Sequence, residues 1–188
     1  MFMRLLVSSF LLVCLLHGHA QVRRGDEQST FAVEEIPGEA RVTHPIAVPD
    51  GVLAILRTDG AVKSCLKDNP LGRGQSLSSW FVASQIHLYG VNEADVIVLP
   101  SLHGEESMCF QSPTGIGLFW VFRHDGQQYK LVLQTWGNGL QILTSKTDGY
   151  RNIQTGTVGE AGRVITNVRF RFDGTHYAKD RETTSEQR

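Results

Sequence analysis

The chain has 188 residues, of which 41% are hydrophobic, and its formal net charge at pH 7 is −1. This near balance argues against a nucleic-acid-binding protein, because such proteins usually carry a strongly basic surface. The length suits one domain that is large enough to bury a core of its own.

The first part of the chain is predicted to be a signal peptide covering residues 1–20. Arg4 precedes an apolar run at residues 5–16, which is shorter than the ~20 residues that a membrane-spanning helix needs. Small residues at 18 and 20 are typical of a cleavage site. A membrane anchor is the alternative, and Cys14 raises a lipoprotein as a minor one. The sequence therefore predicts a periplasmic or secreted protein without a transmembrane segment.

The cysteines that remain after this cleavage are Cys65 and Cys109. Two cysteines far apart in sequence predict one disulfide in an oxidising compartment. The alternative is a catalytic thiol, but no catalytic signature surrounds either residue.

The mature chain divides into three parts by composition. Residues 21–47 are polar and poorly patterned and are predicted to be a flexible leader, and residues 179–188 a disordered tail. Residues 48–178 form the predicted single β-rich domain. It begins with one short amphipathic helix, for which Asp50 is the expected N-cap and Asp59-Gly60 the expected stop.

Strand patterns occupy most of the rest of the domain. Residues 80–89 alternate, and residues 95–99 are apolar throughout, as in a central strand covered on both faces. After a long loop at residues 101–117, a series of hairpins ends in the alternating segment 164–172. The predicted fold is mainly β (α+β): an antiparallel meander of hairpins forming a sandwich or a partial propeller-like sheet, with one short N-terminal helix.

An octapeptide occurs twice in this region. Phe122–Tyr129 (FRHDGQQY) and Phe170–Tyr177 (FRFDGTHY) agree at five of eight positions. Each contains an Asp-Gly pair, which predicts a tight two-residue hairpin turn. The copies are 48 residues apart (173 − 125), near the length of a propeller blade, but two copies cannot close a propeller. We therefore expect two similar hairpins in one sheet or in a sandwich.

Several segments together resemble a group of uncharacterised exported bacterial proteins: residues 80–81, 86–98, 117–122, 147–153 and 172–177. The first of these segments are also similar to the Asp-rich loop of FG-GAP-type repeats, which binds calcium when intact. Here the loop retains only Asn92, Glu93 and Asp95, whereas Ca²⁺ takes six to eight oxygen ligands. The resemblance implies no established activity, and we predict no metal and no cofactor.

The candidate site residues fall into two groups. His103, Glu105 and Glu106 precede Cys109 in the long loop, where a zinc site would need a further ligand such as His87, and the spacing matches no known zinc pattern. The second group consists of arginines in the hairpin half, where basic residues outnumber acidic ones eight to four between residues 119 and 179. Its candidates for a surface that binds an anionic polymer are Arg123, Arg169 and Arg171. Their alternative role is to occupy the solvent face of strands.

The absence of a paired carboxylate cleft pattern or a serine nucleophile motif does not favour an enzyme, and we predict no catalytic residues. The expected function is a non-enzymatic binding or interaction domain of the bacterial envelope. Its partner would be an envelope or extracellular protein or polymer and not a nucleic acid. One alternative is an inhibitor of a secreted hydrolase such as lysozyme, whose cleft the acidic loop would enter. Another is a hydrolase that uses His103, Glu105 or Glu106.

Overall fold

The structure is a computed structural model that describes residues 29–36, 39–40, 42, 45–90, 94–101, 109–112, 115–159 and 162–186. The predicted signal peptide at residues 1–20 lies outside these ranges. Within them, neither of the helices has the length and apolar character needed to cross a membrane.

The described chain forms two α-helices, one 3-10 helix and eleven strands. The helical elements are α1 (Asp50–Leu56), α2 (Gly60–Asp68) and a 3-10 helix (Leu77–Trp80). The first five strands are β1 (Ser29–Ile36), β2 (Glu39–Ala40), β3 (Pro45–Ile46), β4 (Phe81–Ile86) and β5 (Asp95–Pro100). They are followed by β6 (Gly117–His124), β7 (Tyr129–Gly137), β8 (Gly139–Thr147), β9 (Tyr150–Gly159), β10 (Val164–Phe172) and β11 (Tyr177–Glu186).

The strands form two antiparallel sheets that pack face to face. The five-stranded sheet has the order β3-β4-β5-β6-β7, and the six-stranded sheet has the order β11-β10-β9-β8-β1-β2. The chain passes from one sheet to the other at Asn138, between Gly137 and Gly139. The structure confirms the predicted antiparallel meander of hairpins, and of the two predicted arrangements, a sandwich or a partial propeller-like sheet, it has the sandwich.

Two apolar cores fill the molecule. The first, which we call the inter-sheet core, joins buried residues from both sheets, among them Ile97, Phe119, Val121, Ile142, Ile153, Phe170 and Phe172. The second, the helix-side core, joins the helices to the other face of the five-stranded sheet; it includes Val52, Leu56, Val62, Val98, Trp120 and Phe122. The five-stranded sheet is therefore the middle of three layers. All six residues of β5 are buried, which confirms the prediction of a strand covered on both faces.

The helical region differs from the prediction of one helix. The first helix ends before Asp59, as predicted, and the Asp59 amide donates to the carbonyls of Ile55 and Leu56 at its end. Asp59 also begins a second helix, which the sequence did not predict, since its carboxylate accepts hydrogen bonds from the amides of Ala61 (3.0 Å) and Val62 (3.2 Å). Pro49 occupies the N-cap position of α1, and Asp50 is the first residue of that helix. Asp is favoured at a helix N-cap and Gly just after a helix C-terminus. An Asp-Gly pair can therefore mark either the start or the end of a helix, and the local sequence does not distinguish these roles.

Both terminal segments contain strands where the sequence predicts a leader and a tail. β1 pairs with β8, and β11 pairs with β10 as far as Glu186, which lies opposite Val164. Almost all of β11 is exposed, so main-chain pairing and not side-chain burial places it in the sheet. Apolar periodicity reports burial, and it gives no signal for such a strand.

Candidate functional site

One end of the sandwich collects the three Asp-Gly turns. These turns, at residues 125, 148 and 173, connect β6 to β7, β8 to β9 and β10 to β11. They are alternate connections of an up-and-down meander, so they point the same way. The strand after each turn begins with a tyrosine: Tyr129, Tyr150 and Tyr177. The remaining tyrosine, Tyr89, contacts Tyr150, so all four tyrosines of the chain lie at what we call the tyrosine end.

The turns are of two kinds. In the octapeptide copies only the glycine has a positive φ, 87° at Gly126 and 103° at Gly174. The preceding carboxylates fold over the turn: Asp125 accepts from the amides two and three residues ahead, at 3.2 and 3.0 Å, and Asp173 does the same at 2.9 Å each. The predicted turn with Asp and Gly as its two central residues therefore does not occur in the copies, where four residues separate the last paired positions.

The two-residue turn occurs instead at Asp148-Gly149, where Thr147 pairs directly with Tyr150. Both turn residues have positive φ, 50° and 84°. Glycine at 149 has a second role, because a Cβ there would come within 2.6 Å of the Cε2 atom of Tyr89. The Tyr89 ring thus lies directly on the backbone of this turn.

A continuous series of rings leads from solvent into the core. Tyr89 lies 4.9 Å from Tyr150 between ring centroids, Tyr150 lies 4.2 Å from Phe172, and Phe172 lies 5.4 Å from Tyr177. Tyr89 is 50% exposed, whereas Tyr177 is 4% exposed. The exposed ring is therefore supported by rings that the inter-sheet core holds in place.

The segment that carries Tyr89 is tied to the six-stranded sheet. The Arg151 amide donates to the Leu88 carbonyl at 2.7 Å, and the Lys146 ammonium donates to the Tyr89 carbonyl at 3.4 Å. These bonds hold the backbone at Tyr89, while Tyr150 and Gly149 contact its ring.

Arg123 is the cation that contacts the rings of this end. Its guanidinium donates to the Tyr150 hydroxyl at 3.1 Å, and its Cζ atom lies 5.7 Å from the Tyr150 ring centroid and 5.6 Å from that of Phe172. Such distances are within the range of cation–π attraction. Arg123 is only partly exposed, so it supports the ring series and also contributes positive charge to the surface.

Asp95 supports the end from beneath. Its side chain is fully buried, and its two oxygens accept from the amides of Leu88 (2.9 Å) and His124 (3.0 Å). Burial raises the pKa of Asp95, although these hydrogen bonds and the positive charge of Arg123 act in the opposite direction. Asp95 therefore joins β5 to the first octapeptide copy and to the segment before Tyr89. Asn92 and Glu93, the other residues of the FG-GAP-like loop, lie outside the described residues.

Tyr177 closes the buried side of the end. Its hydroxyl donates to the Arg151 carbonyl at 2.7 Å. Burial, together with the nearby Asp95 carboxylate, raises the pKa of Tyr177 far above the ordinary tyrosine value. This phenol stays neutral and acts as a hydrogen-bond donor within the structure.

The predicted basic group does not form one surface. Arg169 and Arg171 lie on the face of β10 opposite to Phe170 and Phe172, turned away from the five-stranded sheet. Both pair with Asp180 on β11, at 3.8 and 3.0 Å. Arg169 also donates to Ser145 (3.2 Å), which accepts in turn from the buried Asn152 (2.8 Å). Arg123, by contrast, belongs to the tyrosine end.

The predicted loop group is described only in part. His103, Glu105 and Glu106 lie outside the described residues. Cys109 is joined to Cys65 of α2, with 5.8 Å between the Cα atoms, which supports the predicted disulfide and takes this thiol out of the zinc hypothesis. The neighbouring Phe110 is buried against Trp80, Phe81 and Trp120, so the bridge anchors the loop at the helix-side core. No group of three potential metal ligands of the His, Cys, Asp and Glu types occurs among the described residues.

Sequence reasoning missed Tyr89 and Tyr150 as site residues. A signal was available, because each Asp-Gly turn is followed within four residues by a tyrosine, and alternate turns of a meander lie at one end. Tyr89 had no such signal, since its contact with Tyr150 joins residues far apart in sequence.

Fold and site together define a helix-covered β-sandwich domain with an aromatic end. Comparisons with family models, curated proteins and solved structures found no match to this chain.

Proposed function

We propose that the protein is an exported, non-enzymatic binding domain of the bacterial envelope, and that it contacts its partner through the tyrosine end. The observation that carries the proposal is the half-exposed Tyr89 ring, which packs against the Tyr150 ring at an interplanar angle of 46° and lies against Gly149. Tyrosine and arginine are enriched among residues that dominate binding energy, because they offer large, amphipathic contact area. A ring that is already fixed loses little conformational entropy on binding.

The surroundings of Tyr89 indicate the chemistry of the partner. Lys146 and Arg123 flank the ring pair formed by Tyr89 and Tyr150. A group that stacks on the rings and carries an acidic or hydrogen-bond-accepting substituent fits this arrangement. Envelope and extracellular proteins and acidic polymers both offer such groups. The disulfide is compatible with an oxidising compartment, which supports export.

Capture from an envelope fraction tests the proposal, with the mature protein as bait. We expect Tyr89→Ala to lose most of the captured partner. The matched control is Trp136→Ala, because Trp136 is 48% exposed but lies near the opposite end of β7. Equal capture by wild type and by Tyr89→Ala would exclude the tyrosine end as the binding surface.

A second pair of variants separates the ring from its position. Gly149→Ala keeps Tyr89 but displaces it, whereas Gly126→Ala replaces another positive-φ glycine with no atom within 4 Å of the new Cβ. We expect only the first to reduce capture. The hydrolase-inhibitor alternative remains a prediction about Glu105 and Glu106, and the hydrolase alternative one about His103, Glu105 and Glu106. Substituting these residues with alanine tests the two alternatives by inhibition and turnover assays, respectively.

A further inference from the structure

β11 is an end strand with a long free edge. It pairs through one edge with β10 over its whole length, and it is the last strand of the six-stranded sheet. In the described part of the chain nothing pairs with its other edge. Alternate residues of this ten-residue strand direct their backbone donors and acceptors to the free edge, which makes the edge a template for pairing with a further strand.

The charges in the middle of β11 are complementary to themselves in reverse. Lys179, Asp180, Arg181 and Glu182 alternate in sign, so the same four residues read backwards carry the opposite sign at each position. If a second β11 runs antiparallel with Lys179 opposite the partner's Glu182, then Asp180 is opposite the partner's Arg181. Two-fold symmetry then gives four cross-strand pairs of opposite charge, an arrangement that stabilises antiparallel strands.

A regular strand could not pair with its own copy in this register. Successive residues turn their backbone polar groups to opposite edges, so in an antiparallel self-pair the residues that face each other differ by an even number. Lys179 and Glu182 differ by three. β11, however, has an extra residue at this point: Phe170 lies opposite Lys179 and Arg169 opposite Arg181, which leaves Asp180 as a bulge. The bulge shifts the alternation by one residue and makes an odd difference possible.

The residues that this register places opposite each other also lie on the same face of β11. Lys179 and Glu182 form an ion pair within the chain, so both lie on the same face of β11, and opposite residues of antiparallel strands share a face. Ala178 and Thr183 lie opposite Arg171 and Asn167 of β10, on the other face.

Adjacent registers are unfavourable. A shift of one residue places Asp180 opposite its own copy and Lys179 opposite the partner's Arg181, so every charged pair becomes a like-charge pair. Charges on an edge strand usually prevent association. Here they disfavour the neighbouring registers and favour one, which points to a second copy of this chain as the occupant of the edge.

We propose that the protein forms a two-fold dimer in which β11 pairs antiparallel with β11 of a second copy, with Ala178 opposite the partner's Thr183. The pairing joins the two six-stranded sheets into one continuous sheet. It rests on strand edges alone, which places it in the class of small interfaces below about 1,200 Å² and makes it a weak dimer.

Cysteine cross-linking tests the register. In the mature protein, whose two cysteines form the Cys65–Cys109 disulfide, Ala178→Cys and Thr183→Cys are prepared separately and then mixed under mild oxidation. We expect the mixture to form disulfide-linked dimers, and either variant alone to form few, because each new cysteine is opposite the other position. Mixing Ala178→Cys with Ser185→Cys is the matched control for a shifted register. Equal cross-linking in all mixtures would overturn the proposed pairing.

Sedimentation equilibrium tests the charges in the chain without added cysteines. Lys179→Glu places glutamates opposite each other twice in the dimer and should weaken dimerisation about tenfold or more. Lys179→Glu combined with Glu182→Lys restores every opposite-charge pair and should restore the wild-type dissociation constant. A wild type that stays monomeric up to about 0.5 mM, or a double variant as weak as the single one, would overturn the proposal.

Discussion

The two octapeptide copies form the same turn but present opposite faces to the protein. In each copy an aspartate accepts hydrogen bonds from the amides two and three residues ahead, and the glycine after it has a positive φ. In the first copy Phe122 faces the helices, and Arg123 points to the space between the sheets. In the second copy Phe170 faces the inter-sheet core, and Arg171 points outward to Asp180.

The difference shows which properties of a short sequence are local. The turn depends on an aspartate and a glycine in fixed positions, and it is the same in both sheets. The side of the sheet to which the Phe and Arg side chains of each copy point depends instead on what covers the strand. β6 is covered on both sides, by helices and by the other sheet, so its arginine lies among aromatic rings. β10 is covered on one side by the five-stranded sheet, and its arginines lie on the other.

The largest expected effect comes from the first phenylalanine of each copy. Phe122→Ala should lower the free energy of unfolding by about 4–5 kcal/mol, and Phe170→Ala by about 3 kcal/mol, because a cavity in a fully enclosed site relaxes less. Phe122 is fully buried, whereas Phe170 is 9% exposed. Urea denaturation of both variants measures the difference, and the reverse order would contradict the assignment of faces.

The next largest effect on the free energy of unfolding is expected for the aspartate that contacts each copy. Asp95→Ala leaves the amides of Leu88 and His124 buried without their acceptor, at a cost of about 2–4 kcal/mol. Asp180→Ala, beside the second copy, removes partly exposed ion pairs and should cost about 1 kcal/mol or less. Chemical denaturation checks both variants. Similar losses would mean that Asp95 does not anchor the first copy.

Replacing the arginine of each copy should give a smaller difference in the free energy of unfolding between the two copies. Arg123→Ala removes a hydrogen bond to Tyr150 and contacts with two rings, for an expected loss of about 1–2 kcal/mol. Arg171→Ala removes one exposed ion pair and should cost at most about 0.5 kcal/mol. Thermal and urea unfolding provide the measurement, and Arg123→Lys shows how much of the loss depends on the planar guanidinium.

The smallest expected effect is the contribution of the two turn aspartates to the dependence of Tm on pH. The Lys130 ammonium, with the turn amides, lowers the pKa of Asp125, while the amides of His176 and Thr175 lower the pKa of Asp173. A lowered pKa means that the stabilisation is present above the ordinary aspartate pKa of about 4 and is lost as the pH falls below it. Asp125→Asn and Asp173→Asn should therefore flatten the fall of Tm between pH 5 and pH 2.

Salt distinguishes the two turns. The effect of Asp125 depends first on Lys130, so added salt should reduce it, whereas Asp173 depends on backbone amides and should respond less. Asp95 acts with the opposite sign, because its raised pKa makes ionisation unfavourable to folding as the pH rises. Asp95 is present in all of these proteins, so comparison with wild type removes its contribution. Equal salt responses would contradict the role of Lys130.

The sequence by itself determined strands β4 to β10, the meander and the disulfide pairing, because apolar periodicity, Asp-Gly turns and cysteine number are local or countable signals. It also identified β5 as a strand covered on both faces. The second helix, α2, was missed, since an Asp-Gly pair serves equally at the start and at the end of a helix.

Only the tertiary structure decided which faces the repeated residues present and where the candidate site lies. Tyr89 meets Tyr150 across 61 positions (150 − 89), and the partners of Asp95 lie 7 and 29 residues away. Strand β11 is in the sheet through its backbone, which no side-chain pattern reports. Contacts between distant segments depend on how the two sheets pack, and local patterns in a single sequence do not report that packing.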